Sequence, residues 1–113
     1  MNKKITPYIL LFLTALLLFS CKSAKLSDAE EKQRIGEYFE AAAIYRKVYT
    51  KTPPAKRDLR GYIAFRMAEC NRLINNTPRA TSAYMNALRY KNPDSIVNLR
   101  LGQMYQKSGR YGE

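Results

Sequence analysis

Residues 57–90, RDLRGYIAFRMAECNRLINNTPRATSAYMNALRY, carry two helical patterns separated by a turn. Apolar residues recur at spacings of three and four on both sides of Asn75-Asn76, which is the period of one helix face. Thr77 suits the N-cap of the second helix, and Pro78 suits its first position. The stretch therefore predicts a helix pair over about 57–74 and 77–90. The apolar positions of the two helices are Leu59, Ile63, Phe65, Met67, Ala68, Cys70, Leu73, Ala80, Ala83, Tyr84, Ala87 and Leu88.

Similar patterns lie on both sides of this pair. Ser27 and Glu30 fit a capping box that would start a helix near residue 28. Gly36 would end that helix, because glycine readily takes a left-handed conformation. Pro53-Pro54 stops the next helix, and Asn92-Pro93 repeats the arrangement of a cap followed by proline. No alternating strand pattern competes, so the chain is predicted to be all-α. The further predicted helices are residues 28–35, 38–50 and 94–107.

The helix pairs share a spacing of 34 residues. Residues 101–105, LGQMY, are followed by Gly109-Arg110-Tyr111, and residues 36–45, GEYFEAAAIY, carry the other half of the same pattern. Together these motifs resemble the tetratricopeptide repeat, a helix-turn-helix unit of 34 residues. The pairs of residues that lie 34 positions apart are Met67 and Leu101, Ala68 and Gly102, and Asn75 and Gly109.

This resemblance implies an all-α fold of tetratricopeptide-type repeats, an α-solenoid with about two and a half repeats. The repeats would cover residues 28–54 and 57–93, with 94–113 forming a partial third repeat. The first two repeats are offset by 39 residues, so an insertion of five falls near residues 53–57. The chain stops where the second helix of the third repeat should begin, and we therefore expect the sequence to be truncated.

The resemblance also implies a binding groove on the concave face, which the first helix of each repeat lines in this family. Among those positions, Arg66 and Arg100 can meet acidic groups of a protein partner. The carboxylate clamp of one subfamily is not supported, because its lysine and asparagine positions are occupied by Phe65, Glu69, Leu99 and Gln103. The alternative is that the groove residues only solvate this face. The predicted groove residues are Tyr62, Phe65, Arg66, Glu69, Arg72, Leu99, Arg100, Gln103 and Gln106.

The N-terminus has the features of a secretory signal over residues 1–20. Two lysines precede the apolar stretch 8–19, which is shorter than the roughly 20 apolar residues that span a membrane. Residues 18–21, LFSC, resemble the lipobox of bacterial lipoproteins. The resemblance implies cleavage before Cys21, acylation of Cys21, and a short tether over 21–27. The alternative is an ordinary secreted protein in which a cysteine happens to follow the signal.

The composition favours a binding protein over an enzyme. The chain has 20 basic and 9 acidic residues and no histidine, so a base that would activate the lone thiol of Cys70 is lacking. We predict that Cys70 is a buried small hydrophobe, that no metal or other cofactor is bound, and that the chain is not an enzyme. Export argues against nucleic acid as the partner of the positive charge. An anionic membrane or an acidic wall polymer fits it better, and a solvated basic helix face is the simpler alternative.

A lipoprotein signal followed by such repeats resembles the N-terminal part of the OmpA-family lipoproteins, including the PorE-like components of type IX secretion and gliding machinery. The features shared with that family are Cys21, the short tether and the run GEYFEAA at 36–42. The resemblance implies an outer-membrane lipoprotein on the periplasmic side that holds a protein of an envelope complex. Lys22 after the anchor is compatible with that location. Peptidoglycan binding is implied only for a downstream domain of this family.

Two other functions stay open at the level of sequence. One is a glycan-uptake lipoprotein of the starch-binding type, which also contains helical repeats, although the aromatic-rich insertion loops expected of it are lacking here. The other is the anchoring arm of an enzyme whose catalytic domain is encoded downstream.

Overall fold

A computed structural model describes residues 6–19, 23–92 and 94–109, and this part of the chain is all-helical. The described residues contain no strand, as the sequence predicts. Each of the five helices predicted from the sequence, from residues 28–35 to residues 94–107, begins and ends within about two residues of its predicted bounds. The helices are α1 (Thr6–Phe19), α2 (Leu26–Arg34), α3 (Tyr38–Lys51), α4 (Arg57–Leu73), α5 (Thr77–Arg89) and α6 (Ile96–Lys107).

Consecutive helices from α2 to α6 pack against each other, and α4 takes part in both cores. Ile63 and Cys70 join α4 to a core formed with α2 and α3. Ala64 and Ala68 face the other way and join α4 to a core formed with α5 and α6. Small residues dominate both cores, which allows the helix axes to approach closely. Cys70 is fully buried and free, which confirms its prediction as a small core residue.

Helices α2 and α4 are each followed by a residue with a left-handed backbone conformation, at the positions that the sequence indicates. Gly36 has φ +84° and Asn75 has φ +61°. After α2, the backbone N–H of Glu37 donates to the Lys32 carbonyl at 2.9 Å. After α4, the N–H of Asn76 donates to the Asn71 carbonyl at 2.8 Å. Both pairings satisfy carbonyls at the helix ends that would otherwise lack partners.

The N-caps differ from the predictions at three helices. Ser27 lies inside α2, which begins at Leu26, so the expected capping box is absent. Asn76, not Thr77, caps α5, because its side chain accepts a hydrogen bond from the Arg79 N–H at 3.3 Å. The helix expected from residue 94 begins at Ile96 with Ser95 at its N-cap position, and the Asp94 carboxylate just before it accepts a hydrogen bond from the Ile96 N–H at 3.1 Å.

Three leucines of the predicted apolar face are exposed. Leu59, Leu73 and Leu88 keep 36%, 43% and 38% of their surface accessible to solvent. They lie on sides of α4 and α5 that no other described helix covers. Asn71 is buried in their place, and its side-chain amide donates to the Met67 carbonyl at 3.0 Å. The helical period shows which residues share a face, but it does not show which edge of that face a neighbouring helix covers. The burial of each leucine therefore depends on where the neighbouring helices lie.

The N-terminal helix α1 exposes its apolar side chains over residues 8–13. Among the described helices, none combines the length and the apolar character needed to cross a membrane. The predicted lipidation site, Cys21, lies outside the described residues, as do Ser20, Lys22 and residues 110–113.

Candidate functional site

The nine predicted groove residues lie on the two helices α4 and α6. Seven of them are half-buried, whereas Leu99 and Gln106 are exposed. Leu99 keeps 59% of its surface accessible, and Phe65 packs its ring 6.4 Å from that of the fully buried Tyr84. Most of the predicted groove residues are therefore half-buried, and only Leu99 and Gln106 present side chains that are largely open to solvent.

Glu69 is the centre of the first part of this network. Its carboxylate is 2.9 Å from Arg72 Nη2 and 3.3 Å from Arg100 Nε, and it accepts a hydrogen bond from the Tyr84 hydroxyl. Burial acts to raise the pKa of Glu69, but the hydrogen bonds from Arg72 and Tyr84 and the charges of both arginines outweigh it and lower that pKa. Glu69 thus stays ionised and joins α4, α5 and α6. Arg100 continues the network by donating to Gln103 Oε1 at 3.1 Å.

A second cluster joins α4 to α2 and α3. The Tyr62 hydroxyl donates to Glu30 Oε2 at 3.1 Å, and the Arg66 guanidinium lies 5.8 Å from the centre of the Tyr62 ring. The Tyr45 hydroxyl, which also interacts with Arg66, donates to Gln33 Oε1 at 2.7 Å. Tyr45 is fully buried, and this burial raises its pKa, so the phenol stays neutral and acts as a donor.

The α4–α6 face retains unused hydrogen-bond donors. The Nε atoms of Arg66, Arg72 and Arg100 are buried and have no hydrogen-bond partner within the described part of the chain. Arg100 Nε is close to Glu69 in distance, but the contact lacks hydrogen-bond geometry. These Nε atoms are out of reach of a partner because they are buried, but the side chains of Arg72 and Arg100 keep 21% and 22% of their surface accessible and can still meet an acidic group at this face. The arrangement can therefore bind acidic or polar groups of a partner.

The remaining features of the described residues are the Cys70 thiol and their capacity to bind a metal. Burial raises the pKa of the Cys70 thiol to about 11, so the thiol is neutral at physiological pH and a poor nucleophile. No group of three or more cysteine, aspartate or glutamate residues in the ranges 6–19, 23–92 and 94–109 is arranged to hold a metal ion.

Sequence reasoning missed a contact around Arg60. Its guanidinium lies 4.0 Å from the centre of the Tyr49 ring and 4.9 Å from that of Tyr90, and its Nη1 donates to the Thr52 carbonyl at 2.5 Å. The side chain thereby joins the end of α3 to the end of α5. Arg57 adds a hydrogen bond to the Arg89 carbonyl at 2.9 Å. These arginines thus connect helices that are distant in the sequence.

Sequence reasoning also missed a groove between α3 and α5. This groove has a volume of about 770 Å³, its floor is formed by α4, and none of the nine predicted residues lines it. The run of Arg46, Lys47 and Lys51 beside alanines on α3 is the sequence signal that marks one of its walls. The described residues therefore form two distinct candidate surfaces, the α4–α6 face and the α3–α5 groove.

Comparisons of the chain with protein families, with curated proteins and with solved structures find no match.

Proposed function

We propose that this chain is the membrane-anchored part of a scaffold lipoprotein, in which tetratricopeptide-type repeats hold a protein of a bacterial envelope complex. In this proposal acylated Cys21 anchors the chain in the outer membrane on the periplasmic side. The repeats face the periplasm and bind their partner through the α4–α6 face. The similarity to OmpA-family lipoproteins makes a type IX secretion complex the first place to look for that partner.

Matched positions in successive helix pairs support the repeat assignment. Tyr45 and Tyr84 lie 39 residues apart, and both are fully buried with their hydroxyls donating to a side chain of the preceding helix. Ala41 and Ala80 have the same spacing and are also fully buried. A left-handed residue follows the first helix of each proposed repeat, at Gly36, Asn75 and Gly109. Such agreement is expected when one supersecondary unit recurs along a chain.

The observation that carries the binding proposal is the excess of partly exposed arginines over carboxylates on the α4–α6 face. Arg66, Arg72 and Arg100 come from two helices, and Glu69 is the one carboxylate among the nine groove residues. The exposed Leu99 adds an apolar contact beside them. A face that combines fixed cations with an apolar side chain suits a protein segment with acidic groups.

The anchor proposal is supported by the lipobox-like residues 18–21 and by the short α1. Acyl chains stabilise membrane attachment by about 0.8 kcal/mol for each buried CH₂ group, and more than one chain is needed for lasting attachment.

Membrane fractionation and crosslinking in cells test the two halves of the proposal separately. Cys21→Ser should move the protein from the membrane to the soluble fraction and abolish labelling by radioactive palmitate. A photoreactive amino acid at Leu99 should crosslink to a partner protein, whereas the same group at the exposed Asp58 serves as the control. Membrane retention of unlabelled Cys21→Ser would contradict the anchor. Equal crosslinking from Leu99 and Asp58 would contradict the binding face.

A further inference from the structure

The α3–α5 groove combines a concave shape with a basic rim. Four cationic side chains line it, and none of its lining residues is acidic. Within the described part of the chain, no hydrogen bond or ion pair occupies these four cationic groups. Their charges are therefore available to a ligand. The four residues are Arg46, Lys47 and Lys51 on α3 and Arg79 on α5.

The inner surface of the groove combines small and apolar residues with the amide side chains of Asn71, Asn76 and Asn86. Ala43 and Ser82 are exposed on its two walls, and Met67 of α4 and Ile74 just after α4 lie on its floor. Phe39, with 70% of its surface accessible, stands at the edge. Small wall residues leave room for the side chains of a segment that lies between α3 and α5, and the floor gives those side chains an apolar environment.

The shape and chemistry of the groove favour a peptide over other anionic ligands. A planar membrane surface does not reach the floor of a concave site. A sugar chain could use the amides of Asn71 and Asn86, but it has no apolar side chains to cover Met67, Ile74 and Phe39. A volume of about 770 Å³ holds a few side chains of a short segment.

We propose that the α3–α5 groove binds an acidic amphipathic helix of a protein partner, with apolar side chains on the floor and carboxylates against the four cations. This surface is separate from the α4–α6 face, and the inference rests on the proposed function only in that both concern binding of a protein. The membrane anchor plays no part in it. Failure of the groove test would leave the fractionation and crosslinking results of the proposed function unaffected.

Binding of a defined probe to the full chain in non-ionic detergent tests the proposal. The probe is a fluorescein-labelled peptide whose leucine and glutamate residues fall on opposite faces of one helix, and fluorescence anisotropy gives its affinity. A second peptide has lysine in place of each glutamate. We expect binding of the glutamate peptide alone, with an affinity that falls as salt is added, because the attraction is between partly exposed charges.

A matched pair of double variants tests the role of the rim. Arg46→Glu with Arg79→Glu should weaken binding roughly tenfold or more, because each change turns an attraction into a repulsion. Arg89→Glu with Lys107→Glu makes the same change in net charge at exposed positions outside the groove, and should have little effect. Equal losses in the two double variants would show that net charge alone attracts the peptide, and would overturn the proposal.

A second pair of variants tests the floor and walls. Ser82→Trp fills the groove from an exposed position and should block the peptide, whereas Ser27→Trp on α2 should not. Thermal melts followed by circular dichroism check that each variant is folded. Unchanged binding by folded Ser82→Trp would overturn the proposal. Displacement of the peptide by glycerol phosphate, the charged group of an anionic lipid, would also overturn it, by assigning the rim to a headgroup.

Discussion

Two buried tyrosines allow a direct comparison of a hydrogen bond to a charged acceptor with one to a neutral acceptor. Tyr84 donates to the ionised carboxylate of Glu69, whereas Tyr45 donates to the neutral amide oxygen of Gln33. Each hydroxyl also interacts with one arginine, Arg72 for Tyr84 and Arg66 for Tyr45, so the two tyrosines differ mainly in the acceptor. Both rings are fully buried, so replacement by phenylalanine removes little besides the hydroxyl. Hydrogen bonds to charged groups contribute about 1.5–3 kcal/mol to stability, and those between neutral groups about 0.5–1.5 kcal/mol. We therefore expect Tyr84→Phe to lower the free energy of unfolding more than Tyr45→Phe does.

The comparison can be made by urea denaturation followed by far-ultraviolet circular dichroism, with Cys21→Ser as the common background. A difference of about 1 kcal/mol between the two variants is expected near neutral pH. The difference should shrink in acid, because the Glu69 carboxylate becomes neutral as the pH falls through its lowered pKa. Equal losses at neutral pH, or a larger loss for Tyr45→Phe, would refute the assignment of Glu69 as a charged centre of the network.

Further predictions concern close packing, pH and thiol reactivity. Gly61→Ala should destabilise the chain by about 1–2 kcal/mol, because a Cβ there would lie 3.2 Å from the Tyr90 carbonyl oxygen. Gly102→Ala, where no atom lies within 4 Å of the added Cβ, should stabilise it by roughly 0.5–1 kcal/mol, and urea midpoints compare the two. Because the pKa of Glu69 is lowered by folding, its contribution to stability is present above the unfolded pKa and is lost as the pH falls through the folded one. Glu69→Gln should therefore flatten the dependence of the urea midpoint on pH in the acid range, and an unchanged slope would contradict this. The buried Cys70, whose pKa is raised to about 11, should react with a thiol reagent only after unfolding, and rapid labelling of the native chain would be evidence against its burial.

The helices could be predicted from the sequence because their signals are local. The period of apolar residues and the left-handed positions Gly36 and Asn75 depend on neighbours within one or two turns. The caps were less predictable, because Asn76 and Thr77 are both suitable residues and only the backbone decides between them. Leu88 was placed wrongly, because its burial depends on which helix covers that side of α5.

The candidate sites could likewise be predicted only where their signals are local in the sequence. The sequence placed Arg72 and Arg100 on one face, but their shared contact with Glu69 depends on how α4 and α6 come together. The α3–α5 groove was not foreseen, because its existence depends on a space that two helices leave open. Such a space has no signature in the period of either helix. Arg60 was also missed, because its aromatic neighbours come from residues 11 positions before it and 30 after it.

The position of α4 between two cores has a consequence for the dynamics of the chain. Opening of either core removes contacts from α4, so its central amides, such as those of Ile63 and Ala68, should exchange with solvent deuterium only when both cores open. Helices α2 and α6 each adjoin one core, and their amides should exchange through local fraying. Native-state hydrogen exchange should therefore show protection that is greatest in the middle of the array and declines toward both ends, as in a linear series of nearest-neighbour couplings.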